Sequence, residues 1–238
     1  NWKQVVLSFV PFLTPLALGA LLIGWYNWAR FDTPLEFGLR YQITIYNLNQ
    51  EMNLVFQPGY FLLNTYAYFF QPFEIVSQFP FIQPVEFSDV LRRLNITAPG
   101  LYAAGPITGI LFYAPILLVA FVPFLRGRDG SEITTNPELL KLTRNMLGGS
   151  LLIGFATMLF FFYVQMRYMV DVISQATVLA ILGYWSIRRK KTKIKIYIAN
   201  LLILFTLITG ILLAFSSETR RMEKSNPVLM ENIKSFFT

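Results

Sequence analysis

Five long stretches without a charged residue constrain the fold of this 238-residue chain more than any other feature. A helix needs about 20 mostly apolar residues to cross the ~30 Å hydrocarbon core of a bilayer. All but one of the stretches reach that length, and the shorter one needs Met169 and Val170 at its outer end. The stretches are Gln4–Ala29, Leu94–Leu125, Asn145–Met166, Val172–Ile187 and Ile196–Ser217. They predict an all-α integral membrane protein with about five transmembrane helices.

The composition narrows the chemistry that such a chain can perform. There is no Cys and no His, which excludes thiolate and imidazole metal ligands and a nucleophile activated by His. No glycine-rich loop followed by Lys and Ser or Thr is present to cradle a nucleotide phosphate. Chemistry must therefore rest on carboxylates, Arg and Tyr. A divalent cation is a possible cofactor, because carboxylates alone do not select an ion.

The distribution of positive charge predicts the topology. The net charge of +7 is concentrated in two short segments between apolar stretches, 126–145 and 188–195. Basic loops of this kind mark the cytoplasmic side of a membrane and contact anionic headgroups, so we expect no nucleic-acid partner. The predicted spans are about 5–25, 105–125, 146–165, 170–187 and 196–215, in the plasma (inner) membrane.

Two further segments are then predicted to lie on the outer side of the membrane. Residues 27–104 form a long, aromatic-rich extracytoplasmic segment, and residues 216–238 form an outer tail. Residues 52–73 also carry no charge and could form a sixth span. Their polar residues, their Pro58-Gly59 break and their many aromatic rings instead favour a position at the outer interface. We expect residues 1–238 to be a single multi-pass membrane region, the C-terminal part of a longer chain.

The first candidate site follows the first predicted helix, in residues 26–42. Arginines, carboxylates, an Asn and aromatic rings are packed there against the predicted membrane surface; we select Asn27, Arg30, Glu36, Arg40 and Tyr41. Glu36 and Arg40 are four residues apart, so a helical turn would pair them. Such a cluster can orient a sugar hydroxyl or hold a metal. The alternative is an aromatic belt with ordinary salt bridges.

The second candidate site lies between the third and fourth predicted helices, at Arg167, Tyr168 and Asp171. Charges at such a junction are costly, and they tend to face a bundle interior or a cavity. Arg167 and Asp171 have the spacing of an ion pair, and the planar fork of an Arg suits phosphate oxygens. The alternative is a helix-end ion pair that extends toward the headgroups.

Both candidate sites resemble segments of a known family. The matching elements are Tyr26-Asn27-x-x-Arg30-Phe31-x-x-Pro34-x-Glu36-Phe37-Gly38-x-Arg40-Tyr41-Gln42, Asn64-x-x-x-Tyr68-x-Phe70-x-Pro72, Phe79-Pro80-Phe81 and Arg167-Tyr168-x-x-Asp171. They are similar to bacterial membrane glycosyltransferases of the GT-C superfamily, related to protein O-mannosyltransferases and lipid A aminoarabinose transferases. The chain departs from the family at Ser174 or Gln175, where Pro is frequent.

The resemblance implies transfer of a sugar from a polyprenyl-phosphate donor to an acceptor on the extracytoplasmic face of the bacterial cell envelope. The bilayer and that donor would be the partners. The catalytic carboxylate would lie upstream, so the catalytic residues of this chain stay unknown. By match, Arg167 and Tyr168 would contact the lipid phosphate; the chemistry of Asp171 and of the first candidate site suggests further substrate contacts. The alternatives are a transporter or flippase fragment and a non-catalytic membrane subunit that docks a partner.

Overall fold

The computed structural model describes residues 2–41, 48–125, 137–189, 192–216 and 224–236. Most of the predicted cytoplasmic segment 126–145, two residues of 188–195 and part of the outer tail lie outside these ranges. The chain is mostly helical, with a few very short strands, so "all-α" is too strict a description. Contacts between Cα atoms divide it into two compact units, residues 1–52 and residues 53–238. The single multi-pass membrane region stays a prediction.

The first unit is dominated by one long helix. This helix, α1 (Trp2–Phe31), has 30 residues and contains Pro11 and Pro15. A short 3₁₀ turn (Leu39–Tyr41) and helix α2 (Leu48–Glu51) follow it. From residue 10 onward, most apolar side chains of α1 are exposed; Leu21, for example, has 69% of its surface accessible. An apolar helix this exposed has a surface suited to lipid and poorly suited to water.

The second unit contains three long helices, α7 (Pro137–Phe160), α8 (Val170–Arg189) and α9 (Lys193–Phe215). Among the described residues, two helical segments are long and apolar enough to cross a membrane, Met166–Arg189 and Lys193–Phe215. The first of them is α8 together with the 3₁₀ turn before it. Membrane crossing by the other predicted spans stays a prediction.

The segment predicted as the second span is not one helix. Its first residues are extended, and the rest is divided among α5 (Ile110–Tyr113), a 3₁₀ helix (Pro115–Phe121) and α6 (Val122–Leu125). The break falls at Ala114, whose backbone has φ −141° and ψ 55°. Proline disfavours the helical conformation in the residue before it, so Pro115 explains the position of the break.

Two threonines of α9 satisfy the backbone groups that this break releases. The backbone N–H of Ile116 donates a hydrogen bond to the Thr206 hydroxyl at 3.4 Å. The Thr209 hydroxyl lies 2.8 Å from both the Tyr113 carbonyl and the Phe205 carbonyl of its own helix, so its one proton is shared between them. Broken helices are tolerated in apolar surroundings when neighbouring Ser or Thr side chains bond the freed groups in this way. The break is therefore supported by α9.

Short elements make up the rest of the second unit. Residues 52–73 form 3₁₀ turns at Met52–Leu54 and Pro58–Tyr60, helix α3 (Phe61–Thr65) and a π-helical turn (Tyr66–Phe70), so this segment is not one continuous helix. Helices α4 (Phe87–Arg93) and α10 (Pro227–Ser235) lie before and after the long helices. The strands are β1 (Glu74–Ile75), β2 (Ile82–Gln83), β3 (Val85–Glu86), β4 (Ala103–Ala104), β5 (Pro106–Ile107) and β6 (Tyr163–Val164). Pairs β1–β2 and β3–β5 are antiparallel, and β4–β6 is parallel.

Helix α8 lies at the centre of the core of the second unit. It packs against α7 and against the 3₁₀ helix 115–121, with Val172 and Leu179 almost completely buried. The backbone of α8 approaches that 3₁₀ helix very closely at Gly183, where a Cβ atom would lie 2.2 Å from the Val119 carbonyl oxygen. Only a residue without a side chain permits this approach, so Gly183 sets the distance between the two elements.

Candidate functional site

The second candidate site is built on the junction between α7 and α8, residues 161–169. Backbone hydrogen bonds hold this junction on two sides. Phe162 donates to the Val55 carbonyl at 2.9 Å, Ala103 donates to the Phe162 carbonyl at 3.0 Å, and Gly105 donates to the Val164 carbonyl at 2.8 Å. Strands β4 and β6 pair through the same residues. Because these hydrogen bonds fix residues 162–164, the junction is a rigid platform. Its 3₁₀ turn, Met166–Met169, carries Arg167 and Tyr168.

The guanidinium of Arg167 is exposed and lies above two tyrosine rings. Its Cζ atom is 5.1 Å from the ring centroid of Tyr168 and 6.0 Å from that of Tyr163. Its Nη2 donates a hydrogen bond to the Tyr168 hydroxyl at 3.3 Å. The electron-rich faces of aromatic rings attract a guanidinium, so these two rings orient Arg167 without neutralising its charge.

Asp171 does not neutralise Arg167 either. The ion pairs within the described residues are Arg40–Glu36 and Arg92–Asp89, so the pair that the spacing of Arg167 and Asp171 permits is not formed. Asp171 is exposed in the first turn of α8. Arg167 keeps its full charge and its remaining hydrogen-bond donors for an anion.

A layer of buried polar atoms lies beside the junction. The hydroxyl of Tyr102 and the side-chain oxygen of Gln165 are buried and have no hydrogen-bond partner among the described residues, and the Tyr68 hydroxyl is buried beside the Gln165 backbone. Burial raises the pKa of both Tyr68 and Tyr102 above the ordinary value for tyrosine, so both hydroxyls stay protonated at neutral pH. A Cβ atom on Gly105 would lie 3.5 Å from the Gln165 amide nitrogen and 3.6 Å from the Tyr163 hydroxyl.

The site residues predicted from the sequence do not include Tyr68, Tyr102, Tyr163 or Gln165, although Gln165 begins the segment 165–171 that contains the second candidate site. Tyr68 lies in a segment that carries the family resemblance, and Gln165 stands two residues before Arg167, so each had a weak signal. Tyr102 had none, because it reaches this region only through the pairing of β4 with β6.

In the first candidate site, side chains mostly bond one another. Asn27 is buried and donates to the Pro34 carbonyl at 3.3 Å. Glu36 accepts a hydrogen bond from the Gly38 backbone N–H at 2.8 Å and pairs with Arg40 at 3.3 Å, as its spacing predicted. Gly38 has φ +81°, which a residue without a side chain adopts at no steric cost. These contacts fold the chain back after α1.

Aromatic rings complete the first candidate site. Phe31 stacks on Tyr41 with ring centroids 5.1 Å apart. The Arg30 guanidinium lies 5.0 Å from the Phe31 ring centroid and donates to the Tyr26 hydroxyl at 3.1 Å. The contacts of Asn27, Glu36 and Arg40 favour the structural interpretation, an aromatic belt with ordinary salt bridges. Arg30 forms no ion pair within the described part of the chain.

No metal-binding cluster is present in the described ranges, since nowhere in them do three acidic side chains come together. The divalent cation stays a prediction from the sequence.

Comparisons with known proteins add no family to this description. No protein-family model, no curated protein and no solved structure matches the chain. The resemblance to GT-C glycosyltransferases therefore rests on the motif residues alone.

Proposed function

We propose that this chain is the membrane-embedded C-terminal portion of a GT-C-like glycosyltransferase, which moves a sugar from a polyprenyl-phosphate donor to an acceptor on the extracytoplasmic face. The main support is the state of Arg167. Its guanidinium is exposed, has no carboxylate partner in the described residues, and lies at the start of a helix long enough to cross a membrane. A lipid phosphate presents its oxygens at the headgroup level, where such an Arg can bind them through two parallel hydrogen bonds.

Arg167 and the residues around it have distinct roles in this proposal. Arg167 binds the phosphate, and Tyr168 orients the guanidinium through its hydroxyl and its ring. Because the rings of Tyr163 and Tyr168 already hold the side chain, less conformational entropy is lost when phosphate binds. The Asp171 carboxylate repels phosphate oxygens but can accept a hydrogen bond from a sugar hydroxyl. The group that activates the acceptor would be a carboxylate upstream of this chain.

The proposal includes a multi-pass arrangement in the plasma membrane, with the basic segments 126–145 and 188–195 on the cytoplasmic side. Three observations support it. Segments Met166–Arg189 and Lys193–Phe215 are long and apolar enough to span, α1 exposes most of its apolar side chains from residue 10 onward, and threonines of α9 bond the freed backbone at the Ala114 break. The last feature matters most in a medium where water cannot satisfy backbone groups.

Replacing Arg167 tests the phosphate contact directly. Arg167→Gln should weaken binding of farnesyl phosphate to the chain in nanodiscs by at least about tenfold, because a hydrogen bond to a charged group contributes roughly 1.5–3 kcal/mol. Farnesol, which has the same isoprenoid chain without the phosphate, should bind the variant and the unchanged protein equally. Binding is measured by titration with either ligand.

Arg93→Gln is the matched control, because Arg93 is also an exposed arginine of the predicted extracytoplasmic segment. It should leave both affinities unchanged. Equal loss of farnesyl phosphate binding in both variants would mean that net charge, and not the Arg167 platform, attracts the ligand. Unchanged binding in Arg167→Gln would remove Arg167 from the proposed site.

The topology can be tested with single cysteines, since the chain has none of its own. Ser77 and Thr143 are both exposed, and they lie on opposite sides of the proposed membrane arrangement. In intact cells, a membrane-impermeant maleimide should label Ser77→Cys and leave Thr143→Cys unlabelled until the cells are opened. Labelling of Thr143→Cys in intact cells would contradict a cytoplasmic position for segment 126–145.

A further inference from the structure

An apolar groove of about 450 Å³ lies between α8, α9 and the broken segment 110–121. Ile173, Ile181 and Trp185 line it from α8, Ile203 from α9, and Leu117 from the 3₁₀ helix. The groove follows the middle of α8, from residue 173 to residue 185. At 1.5 Å per residue this is about 18 Å, slightly more than half of the ~30 Å hydrocarbon core of a bilayer.

The lining of the groove suits an apolar ligand. The backbone groups freed at the Ala114 break are bonded by Thr206 and Thr209, and the Tyr184 hydroxyl donates to the Asn200 side chain at 2.8 Å. Of the side-chain polar atoms on the lining, the buried Tyr113 hydroxyl has no partner among the described residues. Among the described residues, α8 and α9 are long and apolar enough to cross a membrane, and in the proposed membrane arrangement the groove between them would open toward hydrocarbon.

The charge at the two ends of the groove differs. Arg188 continues the face of α8 that carries Ile181 and Trp185, because residues three and four apart share a helix face. Arg189, Lys193 and Lys195 lie near the same end, and residues 188–195 include no carboxylate. At the other end of α8, Arg167 and Asp171 have a net formal charge of zero although they form no ion pair, whereas residues 188–195 carry only cations. An anionic headgroup is therefore favoured at the Arg188 end.

We propose that this groove holds one acyl chain of an anionic phospholipid, with the lipid phosphate at Arg188. A chain that starts at the level of Arg188 passes Trp185 and Ile181 and reaches Ile173 near the far end of the groove. The acyl chain fills the space between α8, α9 and the broken segment, and so supports the packing of the break at Ala114. This inference rests on the membrane position of α8 and α9, and it is independent of sugar transfer.

Native mass spectrometry of the full chain tests the proposal. The protein is purified in mild detergent and offered phosphatidylglycerol or phosphatidylcholine with identical acyl chains. We expect one retained phosphatidylglycerol, preferred over phosphatidylcholine by about fivefold, as for one basic residue near an anionic headgroup. Ile181→Trp, which fills the groove, should lower retention by at least about tenfold, because several methylene groups of the acyl chain would no longer be buried. Val178→Trp is the matched control, since Val178 is similarly exposed on α8 but does not line the groove.

Charge variants test the headgroup separately. Arg188→Gln should lower phosphatidylglycerol retention by about fivefold, and Arg167→Gln should not change it. Tyr113→Phe should also leave retention unchanged, because an acyl chain offers no hydrogen bond to the Tyr113 hydroxyl. These three variants keep the groove open, so they decide the question even if Ile181→Trp fails to fold by circular dichroism.

Several results would overturn the proposal. Equal loss in Val178→Trp and Ile181→Trp would show that the groove does not hold the lipid. Equal retention of phosphatidylcholine and phosphatidylglycerol, or a loss in Arg167→Gln in place of Arg188→Gln, would remove the anionic headgroup from Arg188. A loss in Tyr113→Phe would indicate a polar ligand. Failure of farnesyl phosphate to bind at Arg167 would leave this proposal untouched.

Discussion

Asn64→Ala should destabilise the second unit by about 2–4 kcal/mol, because the amide offers two protons and a buried acceptor left without a donor costs roughly 1–3 kcal/mol. The Asn64 side chain is completely buried, and its amide nitrogen lies 3.0 Å from the carbonyl oxygens of both Met158 and Leu159 and 2.8 Å from that of Phe161. The last carbonyls of a helix have no partner within the helix. The two amide protons of Asn64 are shared among these carbonyls at the end of α7, and alanine would leave the buried Met158 carbonyl and its partly buried neighbours without this donor. Thermal unfolding in detergent micelles measures the loss.

A second variant separates the lost donor from the lost volume. Asn64→Asp has nearly the same shape but no N–H group, and it would bury a negative charge beside carbonyl oxygens, so it should unfold at least as easily as Asn64→Ala. Asn53→Ala is the control, because Asn53 is exposed and lies near the start of the same segment. It should change the melting temperature little. A melting temperature of Asn64→Asp equal to that of the unchanged protein would disprove the donor role.

Asn64 also connects stability to the candidate site. Phe161, one of its acceptors, is the first residue of the junction that carries Arg167 and Tyr168. We expect the loss of this bond to loosen the junction before the rest of the unit unfolds, because it frees the end of α7 on which the junction begins.

Gly183→Ala should destabilise the second unit by about 2–3 kcal/mol, at the upper end of the cost of overpacking a core. The added Cβ would lie 2.2 Å from the Val119 carbonyl oxygen and 2.9 Å from a Val119 side-chain carbon. The first of these contacts is with backbone, which cannot turn away as a flexible side chain can. Helix α8 and the 3₁₀ helix 115–121 must therefore separate. Chemical unfolding of the variant in mixed micelles measures the change.

Gly149→Ala provides the matched control for that substitution. Gly149 lies inside α7, and a Cβ atom built on it meets nothing within 4 Å. Alanine favours a helix over glycine by roughly 0.8–1 kcal/mol, so Gly149→Ala should be neutral or stabilising. If both variants are destabilised by the same amount, the cause is the change from glycine to alanine within a helix and not contact with Val119.

The long helices could be predicted from the sequence, and their interruptions only in part. Charge-free stretches predicted spans at 170–187 and 196–215, and the structure has helices Val170–Arg189 and Lys193–Phe215 over those residues. The stretch around 105–125 had the same apolar signal but is broken at Ala114. Pro115 marked the place of a break, but the partners that support it, Thr206 and Thr209, lie more than eighty residues further along the chain.

The same distinction applies to the candidate sites: a contact within one turn could be predicted from the sequence, and contacts between distant residues could not. Glu36 and Arg40 form the ion pair that their spacing predicts, because a local turn is enough to bring them together. Arg167 and Asp171 have the same spacing but no ion pair, since a 3₁₀ turn carries Arg167 and tyrosine rings orient it. The buried hydroxyls of Tyr68 and Tyr102 could not be assigned to this region from the sequence. Only the pairing of β4 with β6 brings residue 102 to the junction.

The sequence by itself determined that the chain is a mostly helical, apolar protein, and it determined where the longest helices lie, because the length of an apolar run and the positions of charges are local properties. Tertiary structure alone decided which carbonyls Asn64 bonds, how closely Gly183 approaches Val119, and where the groove between α8 and α9 forms. These features depend on contacts between residues far apart in the chain. A local pattern specifies that a side chain is buried, but it does not specify the atom that the side chain meets.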